Sequence, residues 1–579
     1  MADPTNTEIA AALDELGDLY ELDGAIIHRV VAYRNAAKAV RDASVSVAAM
    51  ARAGRATELP GIGQTIQDKV IALADEGEIP ATTKLRAKFP PGLVEVTRLP
   101  GLGPKRARRL FEELGIDSLS ALRTAAEEQR IRTLKGFGPK AEDGILAAVS
   151  VPGAGEARRR VVLNRALAVG EQIVAALRAH PAAERVELAG SARRMTDSVK
   201  DLDVIATATD PGALARALAE LELVEAAQAP GEAGVRVRTH TGVQIDLRIV
   251  APDQFGNLLQ HFTGSKEHNM ALREAAVRRG LHVSEYGLLD DATGTTHRCT
   301  GEAEVYALLG MSYIEPELRE NRGELEAAAA GTLPTLVEVG DLRGDLHSHT
   351  TASDGTASIT EMAVAAREAG YEYLAITDHS ASMGFGNDVP ADRLKAQIER
   401  IRSTRVDGIE LLAGSEVNIL PDGSLDYDDE LLAELDWVIA SVHSSFGLGE
   451  RAMTERIVHA IEHPLVDAIG HLTGRKIERR KPYPVDVERV IAAALATGTM
   501  LEINASPDRR DVDEVGARAA AAAGVPIVIN CDAHRVGGFA VARYGVATAR
   551  RAWLTPADVA NTRPWEELAV MRSRARAVP

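Results

Sequence analysis

Cysteine and aromatic residues are scarce in this sequence. Its two cysteines, Cys299 and Cys531, cannot form a disulfide framework, which excludes the disulfide-rich secreted class and is typical of a reducing compartment. The first residues, MADPTNTEIA, lack the basic segment and apolar core of a signal peptide. Uncharged apolar runs long enough to span a bilayer are also missing. These absences predict a cytoplasmic protein with no membrane partner.

Acidic residues outnumber basic ones and give a net charge of −18. This value argues only superficially against a nucleic-acid partner, because binding depends on where the charges lie. Between positions 98 and 140, ten Lys or Arg residues stand against five Asp or Glu residues. Apolar residues make up 45% of the 579 positions, which suffices for globular cores in about three to five domains. The composition predicts a multidomain protein with a basic segment near its N-terminus.

One glycine pattern occurs three times near the N-terminus. LPGIGQTIQDKV begins at Leu59, LPGLGPKRARRL at Leu99 and LKGFGPKAEDGI at Leu134. The glycines permit a tight turn, and the next helix offers free N–H groups to an anion. One copy alone is as well explained by a turn before a helix, whereas three copies predict helix-hairpin-helix contacts with DNA phosphates. The expected DNA-binding residues are Gly61, Gly63, Gly101, Gly103, Lys105, Gly136 and Gly138.

Three apolar segments of the middle region, RVELAG, DLDVIAT and VQIDLRIV, predict strands of one sheet. Asp201 and Asp203 lie two residues apart and therefore share a face, and Asp246 lies on a strand that could run alongside. An Asp-x-Asp pair alone is usually a surface feature, but three carboxylates on one face can hold two Mg²⁺ or Mn²⁺ ions for phosphoryl transfer. Helical structure is predicted from about Val250 to about Leu309.

The segment GSARR precedes the aspartate pair and strengthens this interpretation. Gly190 permits a close approach of a ligand, and Ser191 and Arg194 can bind phosphates. Further on, the residues from Asn321 to Gly340 predict the end of a helix and a linker into a new domain.

Short apolar segments alternate with helical ones after Gly340. This alternation predicts a parallel sheet that closes into a barrel. The predicted strands lie near residues 343–347, 373–377, 409–413, 437–442, 466–470, 499–503 and 526–530.

Histidine and carboxylate residues stand at the ends of these strands. So much imidazole and carboxylate in one area requires cations, and the mixed nitrogen and oxygen set suits zinc, manganese or iron. The sixth strand, in LEINAS, is interpreted as offering Asn504 and no ionisable side chain. We expect up to three ions, Zn²⁺ or Mn²⁺, bound by His347, His349, Asp354, His379, Glu416, His443, His471, Asp532 and His534.

Histidines that cap strands locally are the alternative explanation. Eight of the 15 histidines follow Gly340, and six of those eight stand at strand ends, which favours a metal site. The other two, His459 and His463, lie on a predicted helix and are interpreted as structural.

The motifs HSHTTASDG, TDHS, SEVN, SVHS, GHLTGR and CDAH resemble those of the PHP (polymerase and histidinol phosphatase) domain, over about residues 342–575. The resemblance implies a phosphoesterase with three metal ions and a distorted (β/α)7 barrel. Arg475 is interpreted either as a contact of a substrate phosphate or as a solvated loop residue.

GSARR, DLD and IDLR, with HFTGSKEHNMALR, resemble a family X DNA polymerase, the group of DNA polymerase β, over about residues 1–315. The resemblance implies that Asp201 and Asp203 bind both metal ions and Asp246 the catalytic one. It also implies roles in nucleotide binding: Gly190, Ser191 and Arg194 at the phosphates, Phe262 and Gly264 near the sugar, Asn269 at the base and Arg273 at the template. Two positions depart from the family: His261 replaces a tyrosine, and Lys200 replaces a glycine.

HRVVAYRNAAKAV, from His28, and LPGIGQTIQDKV are similar to the small lyase domain of polymerase β. Lys69 takes the position of the lysine that forms a Schiff base there, with His28, Arg29 and Tyr33 at neighbouring positions. Lyase chemistry would need a depressed lysine pKa, and a plain contact between Lys69 and a DNA phosphate explains the same residues.

These observations predict a multidomain fold and a bifunctional repair enzyme. A polymerase site fills short gaps in gapped or nicked DNA with dNTPs, and a barrel site acts as a 3′-5′ exonuclease or 3′-end phosphoesterase. The alternatives are a nuclease with a scaffold polymerase half and a polymerase with a structural barrel; the complete site residues favour the first hypothesis. We expect the chain to be a monomer. We also expect six regions along it: a helical region at 1–85, a helix-hairpin-helix region at 86–155, an α/β nucleotidyltransferase palm at 156–255, a nascent-base-pair-binding region at 256–318, a linker at 319–341 and a PHP domain at 342–579.

Overall fold

The computed structural model describes residues 3–43, 45–97, 99, 102–149, 160–382 and 388–572. The chain divides into two compact units. One comprises Met1–Arg159, Val169–Val186 and Lys200–Ile249, and the other comprises Arg160–Ala168, Glu187–Val199 and Val250–Pro579. Among the described helices, none has both the length and the apolar character needed to cross a membrane.

Short helices make up the N-terminal region. The first begins with a capping box, in which the Thr5 hydroxyl accepts from the Glu8 amide and the Glu8 carboxylate accepts from the Thr5 amide. Its buried residues Ile9, Leu13 and Leu16 recur every three or four positions and face a shared apolar core. The helices are α1 (Asn6–Leu22), α2 (Ile27–Asp42), α3 (Val47–Arg52), α4 (Gln64–Glu76), α5 (Pro80–Arg86), α6 (Pro91–Thr97), α7 (Pro104–Leu114), α8 (Leu119–Glu127) and α9 (Pro139–Val149).

The middle region contains β1 (Val161–Val162), α10 (Leu163–Arg178), β2 (Ala183–Leu188), α11 (Gly190–Arg193), β3 (Ser198–Val199), β4 (Asp201–Ala208), α12 (Pro211–Ala219), β5 (Val224–Ala227), β6 (Gly234–Thr239) and β7 (Gln244–Ile249). A five-stranded sheet, here called the middle sheet, has the order β2-β4-β7-β6-β5. This order confirms that the three predicted segments share a sheet. β7 runs parallel to β4 and antiparallel to β6.

A mixed helical and stranded region follows. It contains α13 (Phe255–Thr263), α14 (Lys266–Val277), β8 (Leu281–Ser284), β9 (Gly287–Asp290), β10 (Thr296–His297), α15 (Glu302–Leu308) and α16 (Glu324–Ala330). The prediction of helix throughout to Leu309 was wrong for β8, β9 and β10, which form an antiparallel sheet. The two-residue turn between Ser284 and Gly287 explains the difference, since it joins two strands too short for a clear alternating pattern. Leu325 of α16, in the predicted linker, packs into the core of this region.

The C-terminal region alternates strands with helices, as predicted. Its elements are β11 (Gly344–Asp345), α17 (Ile359–Glu368), β12 (Tyr373–Ile376), α18 (Ala391–Ser403), β13 (Glu410–Asn418), α19 (Asp429–Ala433), β14 (Trp437–Ser441), α20 (Glu450–Ile461), β15 (Ala468–Ile469), α21 (Val487–Thr497), β16 (Met500–Asn504), α22 (Glu514–Ala523), β17 (Ile527–Asn530), α23 (Ala542–Arg551) and α24 (Trp565–Ala569). Within the described residues, seven parallel strands pair in sequence order from β11 to β17. A bridge between Ser348 and Ala533 joins the two ends of this sheet. The predicted (β/α)7 barrel is confirmed.

Apolar side chains cover both faces of the barrel strands. Tyr373 and Ile439 belong to one buried cluster, whereas the adjacent Leu374 and Val438 belong to another. Successive side chains of a strand point to opposite faces, so the two clusters lie inside and outside the sheet. Because both faces are apolar, the polar side chains concentrate near the ends of the strands.

Candidate active sites

Nine ionisable side chains meet at the carboxyl ends of the barrel strands, and each lies within 4 Å of at least one other. The parallel strands bring these ends together, as a barrel requires. Glu416 lies near the carboxyl end of β13, which extends to Asn418 and is longer than the predicted strand at 409–413. We call this group the barrel cluster: His347, His349, Asp354, His379, Glu416, His443, His471, Asp532 and His534.

The Glu416 carboxylate lies at the centre of the barrel cluster. Its oxygens approach His379 Nδ1 at 2.8 Å, His471 Nε2 at 2.9 Å and His443 Nε2 at 3.1 Å. His347 Nε2 follows at 3.3 Å. The carboxylate is buried, so these imidazoles replace the water that would otherwise solvate it.

Asp354 and Asp532 occupy the other side of the barrel cluster. Asp354 Oδ2 lies 3.2 Å from His534 Nε2, and Asp532 Oδ1 lies 3.2 Å from His349 Nε2. The rings of His349 and His534 stack with their centroids 4.2 Å apart. Stacked imidazoles between two carboxylates have their nitrogens directed at a shared space.

Buried polar atoms test whether the barrel cluster suits metal ions. Five buried atoms of the barrel cluster lack a hydrogen-bond partner among the described residues, although such atoms are nearly always paired: His347 Nε2, His349 Nδ1 and Nε2, His379 Nδ1 and Glu416 Oε2. Ligand atoms that lie within 4.8 Å of one another form three groups. These are His349, Asp354, His379 and His534; His347, His349 and Glu416; and His379, Glu416 and His443. The residues present therefore fit bound cations.

The pKa values of the barrel cluster differ from residue to residue: burial alone would lower the pKa of His379, but the Glu416 and Asp354 carboxylates raise it to about 10. Burial and the neighbouring His379 and His534 rings lower the pKa of His349 to about 4. Burial would raise the pKa of Glu416, but the surrounding imidazoles, led by His443, hold it well below its usual range. Neutral imidazoles and ionised carboxylates are the forms that coordinate cations.

Glu502 is a residue that the sequence interpretation missed. The sixth strand was predicted to offer no ionisable side chain, and this was wrong: Glu502 of β16 is buried with its Oε1 2.7 Å from His347 Nδ1. Its other oxygen accepts from the His471 amide at 2.8 Å. The sequence places Glu502 on the same strand face as Asn504, two residues later, but it does not show the contact with His347.

Arg475 lies neither in solvent nor against the barrel cluster. Its Nη1 is 2.8 Å from Asp197 Oδ2 and its Nε donates to the Arg509 carbonyl, with 14% of the side chain exposed. The interpretation as a solvated loop residue was therefore wrong. The Arg509 guanidinium does reach the cluster, with its Nε 3.7 Å from Asp532 Oδ2.

The middle sheet carries the three predicted carboxylates on one face. Asp203 of β4 is the register partner of Asp246 of β7, which places the two strands about 4.8 Å apart at this point. Asp201, two residues before Asp203, shares the same half-buried face. Arg236 Nη2 lies 2.7 Å from Asp246 Oδ2 and provides a counter-charge to the carboxylates.

Arg194 and Asn269 hold fixed positions near the turn after α13. The Arg194 guanidinium lies 3.0 Å from Glu320 and donates to the Thr263 carbonyl at 2.8 Å. Asn269 donates to the His261 carbonyl at 2.7 Å.

The remaining predicted nucleotide-binding residues lie in the same unit. Arg273 Nη2 is 3.4 Å from His261 Nδ1, and the Phe262 ring lies edge-on to that imidazole. A Cβ on Gly264 would lie 2.6 Å from Asn269 Oδ1, so a side chain there would displace Asn269. Ser191 follows Gly190, which has a φ of 66° at the start of α11.

The described residues of the three glycine repeats share one backbone hydrogen bond. In each, the residue between the glycines donates to the leucine three residues earlier: Ile62 to Leu59, Leu102 to Leu99 and Phe137 to Leu134. A Cβ on the second glycine, Gly63, Gly103 or Gly138, would meet nothing within 4 Å, so packing within the chain does not explain these glycines.

The other residues of the repeats agree with this geometry. Gly61 and Gly136 have φ values of 83° and 91°, which a side chain would strain. Lys105 is exposed in the first turn of α7, whereas Gly101 lies outside the described residues.

Lys69 lies half-buried on α4, within the region that resembles a lyase domain. His28 and Arg29 are exposed on α2, and the Arg29 guanidinium covers the Tyr20 ring at 4.7 Å. Burial and Tyr20 raise the pKa of Tyr33 to about 12, so its hydroxyl stays protonated. These residues leave both interpretations of Lys69 open.

Four family models match parts of the chain. A helix-hairpin-helix domain matches residues 4–79, and a SAM-like helix-hairpin-helix tandem matches residues 93–150. The DNA polymerase beta thumb matches residues 258–320, and the PHP domain matches residues 345–506.

Similar proteins cover either the whole chain or its barrel. The DNA polymerase/3′-5′ exonuclease PolX of Bacillus subtilis is 37% identical over 571 residues, which cover 98% of this chain and 99% of that protein. A probable phosphatase of Thermoanaerobacter sp. is 37% identical over 208 residues, 33% of this chain and 78% of that protein. A probable phosphatase of Shewanella oneidensis is 34% identical over 208 residues, 34% of this chain and 79% of that protein.

Proposed function

The chain belongs to the PolX family of DNA polymerase/3′-5′ exonucleases, and from this membership we propose that one site fills short gaps in DNA during repair and another trims 3′ ends. The observation that carries the second activity is the barrel cluster, with its five buried atoms that lack partners among the described residues. The relatives that match the barrel alone are named probable phosphatases, which agrees with phosphoester hydrolysis at this site.

At the polymerase site, Asp201 and Asp203 hold two Mg²⁺ or Mn²⁺ ions and Asp246 joins them at the catalytic ion. When bound, these ions stabilise the attacking and leaving oxygens of an in-line displacement. Arg236, close to Asp246, balances the carboxylate charge before the ions bind.

Nucleotide recognition involves residues around the turn after α13. Asn269, fixed by the His261 carbonyl, reads the base, and Phe262 and Gly264 contact the sugar. Arg273 contacts the template, while Gly190, Ser191 and Arg194 hold the triphosphate.

At the barrel site, the barrel cluster holds up to three Zn²⁺ or Mn²⁺ ions. When bound, they supply a hydroxide at neutral pH and polarise the phosphoryl group. Glu502 fixes His347 through Nδ1 and thereby directs Nε2 toward Glu416. Exclusion of water by the buried strand ends strengthens each of these interactions.

The glycine repeats and Lys69 bind the phosphates of gapped or nicked DNA. The chain acts as a cytoplasmic monomer on DNA and dNTPs. Its functional regions are residues 1–85, 86–155, 156–255, 256–318, 319–341 and 342–579, in the roles expected from the sequence.

Two alanine variants test the assignment on gapped DNA with Mn²⁺. Asp203→Ala should abolish nucleotide addition and keep 3′ hydrolysis, and His349→Ala should do the reverse. His459→Ala is the matched control, because this exposed histidine of α20 lies outside the barrel cluster. Full hydrolysis by His349→Ala would show that the barrel is a structural module.

A further inference from the structure

A basic hairpin follows the fifth barrel strand. Residues 475–482, here called the basic hairpin, line a cavity of about 500 Å³ together with Asp197 and Ser198. The hairpin turns tightly, since the Lys476 amide donates to the Arg480 carbonyl at 2.9 Å. The cavity lining carries five cations against the two carboxylates of Asp197 and Glu478: Arg475, Lys476, Arg479, Arg480 and Lys481.

Two of the five cations hold the hairpin in place. Arg475 is bound to Asp197, and Arg480 donates to the Gly474 carbonyl at 2.8 Å while covering the Phe446 ring at 4.3 Å. Arg479 and Lys481 are exposed and have no ion-pair partner among the described residues. They are free to bind an anion on a preformed support.

Positive charge continues from the cavity to the barrel cluster. Lys476 lies 3.1 Å from Asp508, and Arg509, the next residue, lies 3.7 Å from Asp532. Cations that follow one another along a surface favour a ligand that carries successive negative charges.

We propose that the basic hairpin binds the phosphate backbone of a single-stranded DNA 3′ end and guides it to the barrel cluster. This inference rests on the proposed hydrolytic function. A cavity of about 500 Å³ lies in the size range of small-ligand sites, so it suits the end of a single strand better than a length of duplex. Basic grooves that follow the backbone are the usual means of binding single strands.

Steady-state hydrolysis tests the proposal in the full chain with Mn²⁺. The variant Arg479→Ala/Lys481→Ala should raise the KM for a single-stranded oligonucleotide by about tenfold or more, since each lost contact is charge-assisted. The slope of log KM against log salt should fall by about 1.4, or 0.7 for each lost phosphate contact. An unchanged KM and salt slope would overturn the proposal.

A matched control and a second readout separate the proposal from the proposed function. Lys395→Ala/Arg451→Ala removes the same charges from exposed positions on α18 and α20 and should match the wild type; an equal rise in KM there would also overturn the proposal. The second readout is crosslinking, which does not require hydrolysis and can therefore be measured in the His349→Ala variant. A photoreactive 4-thiothymidine at the 3′ end of the oligonucleotide should crosslink to residues 475–482. If the oligonucleotide crosslinks to the hairpin but the wild-type protein does not hydrolyse it, the hairpin site is supported and the proposed function is contradicted. If the wild-type protein hydrolyses the oligonucleotide but no crosslink forms, the proposed function is supported and the hairpin site is contradicted.

Discussion

Arg510, a buried arginine of the barrel, donates to the Met195 carbonyl at 2.8 Å. Its Nη1 also lies 3.3 Å from Asp197 Oδ1, and Arg551 Nη1 donates to the Arg194 carbonyl at 2.9 Å. With Arg475, three barrel guanidiniums hold the segment that directly follows the predicted phosphate-binding residues. The barrel thus supports a loop assigned to nucleotide binding.

Asp197→Ala should therefore impair polymerisation, because Asp197 anchors the segment after the proposed phosphate-binding residues to Arg475 and Arg510. The change leaves the buried Arg510 without its carboxylate, which costs about 3 kcal/mol of unfolding free energy. We expect a higher KM for dNTPs and a lower denaturant midpoint, measured on gapped DNA and by urea unfolding.

Asp253→Ala provides the control for Asp197→Ala. Asp253 pairs with Arg298 in an exposed ion pair, which contributes little to stability. Equal effects of the two changes would contradict the supporting role of the barrel arginines.

Glu502→Gln should weaken metal binding by about 10- to 100-fold, because a carboxylate that orients a ligand histidine also raises its basicity. Titration of the metal-free protein with Zn²⁺ measures the change. Glu450→Gln, at an exposed position of α20, should bind like the wild type. Unchanged affinity in Glu502→Gln would show that His347 is oriented by other contacts.

Gly264→Ala should abolish most nucleotide addition while sparing hydrolysis at the barrel. The new Cβ would lie 2.6 Å from Asn269 Oδ1 and 2.8 Å from His268 Cδ2, which displaces Asn269. Gly340→Ala is the control, since a Cβ there meets nothing within 4 Å. Primer extension that remains intact in Gly264→Ala would remove Asn269 from base recognition.

Glu514 should stabilise the fold above about pH 4.5 and lose this effect as the pH falls toward 2. Burial alone would raise its pKa, but Arg551, 3.0 Å away, and its other contacts lower the pKa to about 2. A depressed carboxyl pKa stabilises above the unfolded value, here by about 3 kcal/mol. The gap in melting temperature between wild type and Glu514→Gln should be full at pH 7 and close near pH 2; a constant gap would contradict this.

The barrel and its cluster could be predicted because their signals are local. Each buried strand is a short apolar segment, and eight of the nine cluster residues lie within four residues of a strand end, as His443 follows β14 and His471 follows β15; Asp354 lies further along the loop after β11. Parallel strand ends meet at one edge of a sheet, so the sequence order alone brings such residues together.

Other features depend on tertiary contacts that no local pattern records. Glu502 was missed because a carboxylate inside an apolar strand gives no sign of its partner, His347, 155 residues away. The role of Arg475 was missed because its partner, Asp197, lies in another region of the chain. Strands β8 to β10 were missed because their short alternation lies next to a strongly helical segment.

The most direct test of the central claim, that the barrel cluster binds the metal ions needed for 3′ hydrolysis, is metal content measured beside hydrolysis. Purified wild type, after equilibration with Mn²⁺ or Zn²⁺, should hold up to three ions in the barrel and shorten a 3′ end. His349→Ala should lose at least one ion together with hydrolysis and keep nucleotide addition. A His349→Ala protein with wild-type metal content and full hydrolysis would contradict the account.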